Sequence, residues 1–168
     1  ENINSLKNSL KNTKTEFKFW HRLLQLKVYY SVLKTDVPDT FKKLHKYDYI
    51  YNFHNDFARV KLKNKYGFIN KQGQLVIPVI YDRAGNFYEG LTIVKLNRKW
   101  GFINPQNQVV IPIIYDNIGH FHEGLAWAEL NGKWGFINPQ NEVVIPIIYD
   151  EVSIFSAGLA MVKFKGVF

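Results

Sequence analysis

The same alternation of apolar and polar side chains returns four times along this chain, at intervals of 34 residues. In Leu125–Leu130, alternate positions hold Ala126, Ala128 and Leu130. The matching residues elsewhere are Ala58, Val60 and Leu62, then Thr92, Val94 and Leu96, then Ala160, Val162 and Phe164. The positions between them differ from copy to copy: Arg59, Ile93, Trp127 and Met161, followed by Lys61, Lys95, Glu129 and Lys163. A period of two with one apolar face predicts a half-buried β-strand.

A two-residue turn follows at Asn97–Arg98 and Asn131–Gly132, the second a strong hairpin signal. The next strand carries Tyr-Gly-Phe-Ile-Asn from Tyr66 and Trp-Gly-Phe-Ile-Asn from Trp100 and Trp134. The Gly after the aromatic suggests close approach of a neighbouring backbone. Asn-Pro-Gln-Asn then marks a turn at Asn104 and Asn138, with Gly73, Asn107 and Asn141 at the place that needs a left-handed residue. A third strand, Val-Val-Ile, is expected to end at Pro112 or Pro146, because Pro donates nothing to a ladder. A loop through Tyr-Asp to Phe-x-Glu-Gly leads to the next copy.

From Trp100 to Asp116 the chain matches Trp134 to Asp150 at 16 of 17 positions, the one change being Gln108 against Glu142. Such self-similarity means stacked supersecondary units, none of which buries its apolar face alone. The expected fold is therefore mainly β, a solenoid-like or superhelical stack of 34-residue antiparallel β-meanders, with an N-terminal α-helical segment. The units are 47–80, 81–114, 115–148 and a partial 149–168, the first degenerate and the last stopping mid-repeat. Stacking would align Tyr66, Trp100, Trp134 and Phe168 as an aromatic ladder. A chain that opens on Glu1 rather than Met, and ends mid-repeat, is expected to be a piece of a longer protein.

Residues 1–46 read as a helix and linker. Ile3, Leu6, Leu10, Phe17, Trp20 and Leu24 form a heptad-like seam, and Pro38 ends the helix near Asp36. Phe17 to Leu33 is expected to cap the 47–80 unit, with Lys7, Lys11, Lys14 and Lys18 facing outward. Self-association through this helix is the other use of the seam.

Charge sharpens that division. Residues 1–46 hold ten Lys/Arg against four Asp/Glu, and the rest hold twelve against ten, so the net +8 splits into +6 and +2. The nearly neutral repeats lack the concentrated basic face that phosphate contacts require, so no nucleic acid is expected. No stretch approaches the roughly 18 apolar residues of a membrane span. The absence of cysteine excludes disulfides and thiolate metal sites and leaves the compartment undetermined, cytoplasm and secretion both being consistent with it.

The recurring Lys-Trp-Gly-Phe-Ile-Asn, Ile-Pro, Tyr-Asp and Phe-x-Glu-Gly-Leu resemble the bacterial WG-repeat family, also called KWG repeats, over residues 47–168. Tyr66 and Phe168 depart from the family's Trp. The resemblance implies a β-rich module set beside other domains, including those of some secreted effectors, and supplies no catalytic residues.

Asp82, Asp116, Asp150, Glu89 and Glu123 recur in step with the repeat. Paired carboxylates can serve glycoside hydrolysis. A residue present in every unit is better read as holding that unit's turn, since an active site needs only one set. His120 and His122 could ligate a metal, but only Glu123 stands by as a third ligand, and zinc needs three or four. Phosphate-binding glycine loops and zincin or serine-nucleophile motifs are missing. No catalytic residue, cofactor or metal is therefore expected.

The varying column remains. Arg59, Ile93, Lys95, Trp127 and Met161 are the expected partner-binding surface, with Ile93, Trp127 and Met161 as apolar anchors and Arg59 and Lys95 at the rim. The expected function is a non-catalytic scaffold binding a protein partner or an upstream domain of its own parent. A glycan or cell-wall fragment is the alternative ligand, suggested by 16% aromatic content. An accessory role beside an upstream catalytic domain is the third reading.

Overall fold

The computed structural model describes residue 44 and residues 46–167. The expected N-terminal helix and its capping role lie outside the described residues. Among the described residues the elements are strands throughout, and no helix is long and apolar enough to cross a membrane.

The first sheet is an antiparallel meander of β1 (Tyr49–His54), β2 (Phe57–Leu62), β3 (Lys65–Asn70) and β4 (Leu75–Tyr81) in sequence order. The second joins β5 (Arg83–Ala84), β6 (Thr92–Leu96), β7 (Lys99–Ile103) and β8 (Val109–Tyr115) in the same way. The third repeats it with β9 (Asn117–Ile118), β10 (Ala126–Leu130), β11 (Lys133–Ile137) and β12 (Val143–Tyr149). A two-stranded remnant, β13 (Glu151–Val152) with β14 (Val162–Lys163), follows. The chain passes from sheet to sheet at Tyr81–Asp82, Tyr115–Asp116 and Tyr149–Asp150.

Each sheet has one strand more than the three-strand unit expected. The residues after Tyr-Asp, taken as loop, pair with the following strand: Arg83 faces Lys95 and Ala84 faces Val94, and Asn117 faces Glu129. The second and third strands of each unit meet at two-residue turns whose central residues both have positive φ: Lys63–Asn64, Asn97–Arg98 and Asn131–Gly132. These values belong to the turn that matches strand twist, which explains the Asn and Gly found there.

Pro112 does not end its strand. β8 runs through it, because the ladder slips there: Trp100 pairs with Tyr115, but Phe102 pairs with Ile111. An edge strand at a bulge is where Pro is tolerated. The bulged backbone closes over Gly101, where a Cβ would lie 2.5 Å from the Ile111 carbonyl oxygen and 2.7 Å from that of Pro112. Gly67 and Gly135 stand in the same close approach.

Packing between sheets follows the alternation. Ala58, Val60, Val94, Ala126 and Ala128 are fully buried on one face. Phe68, Ile77, Tyr81 and Phe87 pack against Val94 and Ile103 between the first two sheets. Phe102, Ile111 and Tyr115 pack against Ala126, Ala128 and Ile137 between the next two. So the variable face of each sheet is divided: its Phe-Ile half is covered by the next sheet, and its other half stays open. Leu44 packs with Ala58, Val60 and Ile69 on the outer side of the first sheet.

The aromatic ladder takes another form. Tyr66, Trp100 and Trp134 make no ring contact with one another among the described residues. The rings that meet across units are Phe68 with Phe87 at 4.9 Å and Phe136 with Phe155 at 5.3 Å, both edge-on, and Phe102 with Phe121, tilted, at 5.1 Å.

Candidate functional site

The open half of the variable face holds a cavity of about 510 Å³. Arg59, Ile93 and Trp127 line it, one from the second strand of each sheet, together with Tyr66 and Trp100. The segments after Tyr-Asp complete the wall with Arg83, Ala84, Gly85, Ile118 and Gly119, and His120 and His122 stand at the rim.

Three of the five residues expected on the binding surface therefore converge: Arg59, Ile93 and Trp127. Ile93 is not a projecting anchor, being only 9% exposed. Its side chain folds over Gly85, where a Cβ would lie 2.7 Å from Ile93 Cγ2. Gly119 makes the same room for the indole of Trp127, which also tilts on Trp134 at 5.2 Å. Lys95 lies beside the cavity with its ammonium 5.0 Å from the Trp100 ring. Met161 is 67% exposed on the two-stranded remnant and lies outside the cavity.

Arg59 is held from two sides. Nη1 donates to the Ala84 carbonyl of the next unit, and the guanidinium stands 4.1 Å from the Tyr51 ring and 5.8 Å from that of Tyr66. Burial, followed by the bond and charge shared with Tyr66, raises the Tyr51 phenol above its ordinary 10.0, so that ring stays neutral under the cation. Arg59 Nε and Trp100 Nε1 are buried without an acceptor. A buried donor left so costs roughly 1–3 kcal/mol. His120 is held below its ordinary 6.5 by burial and then by the neighbouring charge of His122, and its ring meets Tyr88 edge-on at 5.7 Å.

The three recurring aspartates and Glu123 lie elsewhere and are engaged. Asp116 accepts from Lys99 Nζ at 2.5 Å and from the Asn131 N–H at 2.8 Å, tying one unit's turn to the preceding unit's strand. Asp82 does the same with Lys65 and Asn97, and Asp150 with Lys133 and Gly166. Glu123 accepts the N–H groups of Ala157 and Gly158, 34 and 35 residues ahead. Among the described residues no three His, Asp or Glu side chains gather as metal ligands would.

Arg83, Tyr66, Trp100 and the two cavity glycines were missed as lining residues. The period itself was the available signal, since Gly85 and Gly119 occupy one repeat position. No curated protein matches the chain. The family model of the WG containing repeat matches it four times in succession, at residues 45–66, 66–100, 100–134 and 134–168, and the chain belongs to that family.

Proposed function

We propose that this chain is a non-catalytic interaction module of a bacterial protein, a solenoid-like scaffold whose cavity-bearing face binds a segment of a partner protein or of another domain of its parent. The observation that carries this reading is the convergence of Arg59, Ile93 and Trp127 on one cavity. They are three unlike residues at a single repeat position, in units whose packing residues are nearly alike. Divergence confined to one open surface is how a repeat stack builds a specific binding face. The cavity volume also falls within the range of roughly 300–1,000 Å³ usual for ligand sites. Engagement of Asp82, Asp116, Asp150 and Glu123 in turns and ion pairs supports a structural role for them.

Panning a peptide library on the full chain tests the reading. Selected peptides should bind Trp127→Ala at least about tenfold more weakly, with the variant's strand spectrum unchanged. Peptides that bind both proteins alike would remove the cavity from the reading.

The rings of Tyr66, Trp100 and Trp127 favour a second reading, a glycan or cell-wall ligand, because flat apolar faces suit sugar rings. A glycan array read on the full chain and on Trp127→Ala separates the two. Service beside an upstream catalytic domain is a third use of the same scaffold.

A further inference from the structure

We propose that the cavity is an anion site, taking the carboxylate of an acidic peptide segment beside Trp100 and Trp127. This rests on the protein-binding reading and names the chemistry it selects. The lining holds two guanidinium groups and two imidazoles, but no Asp, Glu, Asn or Gln. The guanidinium of Arg83, exposed on β5, has no hydrogen-bond or ion-pair partner among the described residues. Arg59 is fixed at its edge by Ala84 and the Tyr51 ring. The buried donors Arg59 Nε and Trp100 Nε1 add to a wall poor in acceptors.

The nearby acids do not supply the missing charge. Asp82 and Asp116 are turned to their lysines and turns, and Glu129 accepts from Asn117 at 2.5 Å. A planar carboxylate matches a guanidinium fork, and rings beside it suit the apolar stem that carries it. A neutral sugar is the poorer fit, because its hydroxyls need side-chain acceptors as well as donors, and this lining offers few.

The test is fluorescence anisotropy of a labelled dodecapeptide of alternating Glu and Leu, compared with its Gln counterpart and with an oligogalacturonate. Binding of the Glu peptide to the full chain should exceed that of the Gln peptide by at least about tenfold. Arg83→Gln should weaken it by about tenfold without moving the melting temperature. Arg98→Gln, which removes the same charge from an exposed turn outside the cavity, should leave it unchanged. Equal loss in the two variants would reduce the effect to the general basicity of the chain and overturn the site. Equal binding of Glu and Gln peptides, or tighter Arg83-dependent binding of the oligogalacturonate, would overturn the peptide carboxylate. If library-selected neutral peptides bind through Trp127 while acidic ones do not, the anion site falls and the protein-binding reading stands. If no peptide of either kind binds, both fall.

Discussion

Tyr81 donates its phenol hydrogen to Oδ1 of Asn107 across 2.7 Å, and Tyr115 repeats the bond to Asn141 at 2.8 Å. Each bond ties the edge strand of one sheet to the turn of the next. The acceptor side chains stand on left-handed residues, with φ of 60° and 63°, so turn geometry and stacking are fixed together. Burial raises both phenols above their ordinary 10.0, which keeps them donors well into the alkaline range.

Tyr115→Phe should therefore lower unfolding stability by about 1 kcal/mol, the net worth of one such bond. Tyr81→Phe should do the same at the other interface. The two bonds share no partner, so the double variant should lose the sum within about 0.5 kcal/mol. Urea unfolding of the three variants measures it, and a loss near zero would mean that solvent replaces the phenol at the Asn.

Gly101→Ala should cost about 3 kcal/mol, because the new Cβ meets backbone oxygens that belong to the bulge and cannot step aside. Gly90→Ala provides the contrast. Nothing lies within 4 Å of its Cβ, and only the positive φ of 79° opposes the change. That variant should lose about 1 kcal/mol. Equal melting temperatures for the two variants would contradict the account of the Trp-Gly pair.

The contrast also marks what the sequence could disclose. Strands β2, β6 and β10 are readable from alternation because their buried partners follow a period of two within one segment. The left-handed turn residues are readable because Asn and Gly recur at them. Strands β5 and β9 are two residues long and carry no period, so their pairing with β6 and β10 leaves no mark in the sequence. Pro112 looks like a strand end until the slip beside Gly101 is known. Ile93 reads as an exposed anchor because its position alternates outward, and only the distant Gly85 turns it inward. What escaped were contacts between strands of one sheet that no single segment's period displays.

Acid should loosen the stack in a defined window. The Lys partners, and the turn N–H groups after them, hold Asp82, Asp116 and Asp150 below their ordinary 3.8. The unfolded chain thus binds more protons than the folded one near that value, and stability rises with pH there. The contribution is complete above the unfolded value and is lost as pH falls through the folded ones. Melting temperature should drop below about pH 4. Asp116→Asn should start lower at neutral pH and show a shallower acid decline; an unchanged slope would assign the decline to other groups.

Gly119 is the position where stacking and the cavity meet. A Cβ there would overlap the Trp127 indole, so the glycine is what lets that ring lie back along its own sheet. Gly119→Ala should expel the ring, redden the tryptophan emission and cost about 1–3 kcal/mol through overpacking. The same change made in Trp127→Ala meets empty space and should cost much less. The difference between the two costs is the coupling energy of the pair. Equal costs in both backgrounds would show that the glycine answers a backbone requirement at β9 and that the indole's position has another cause.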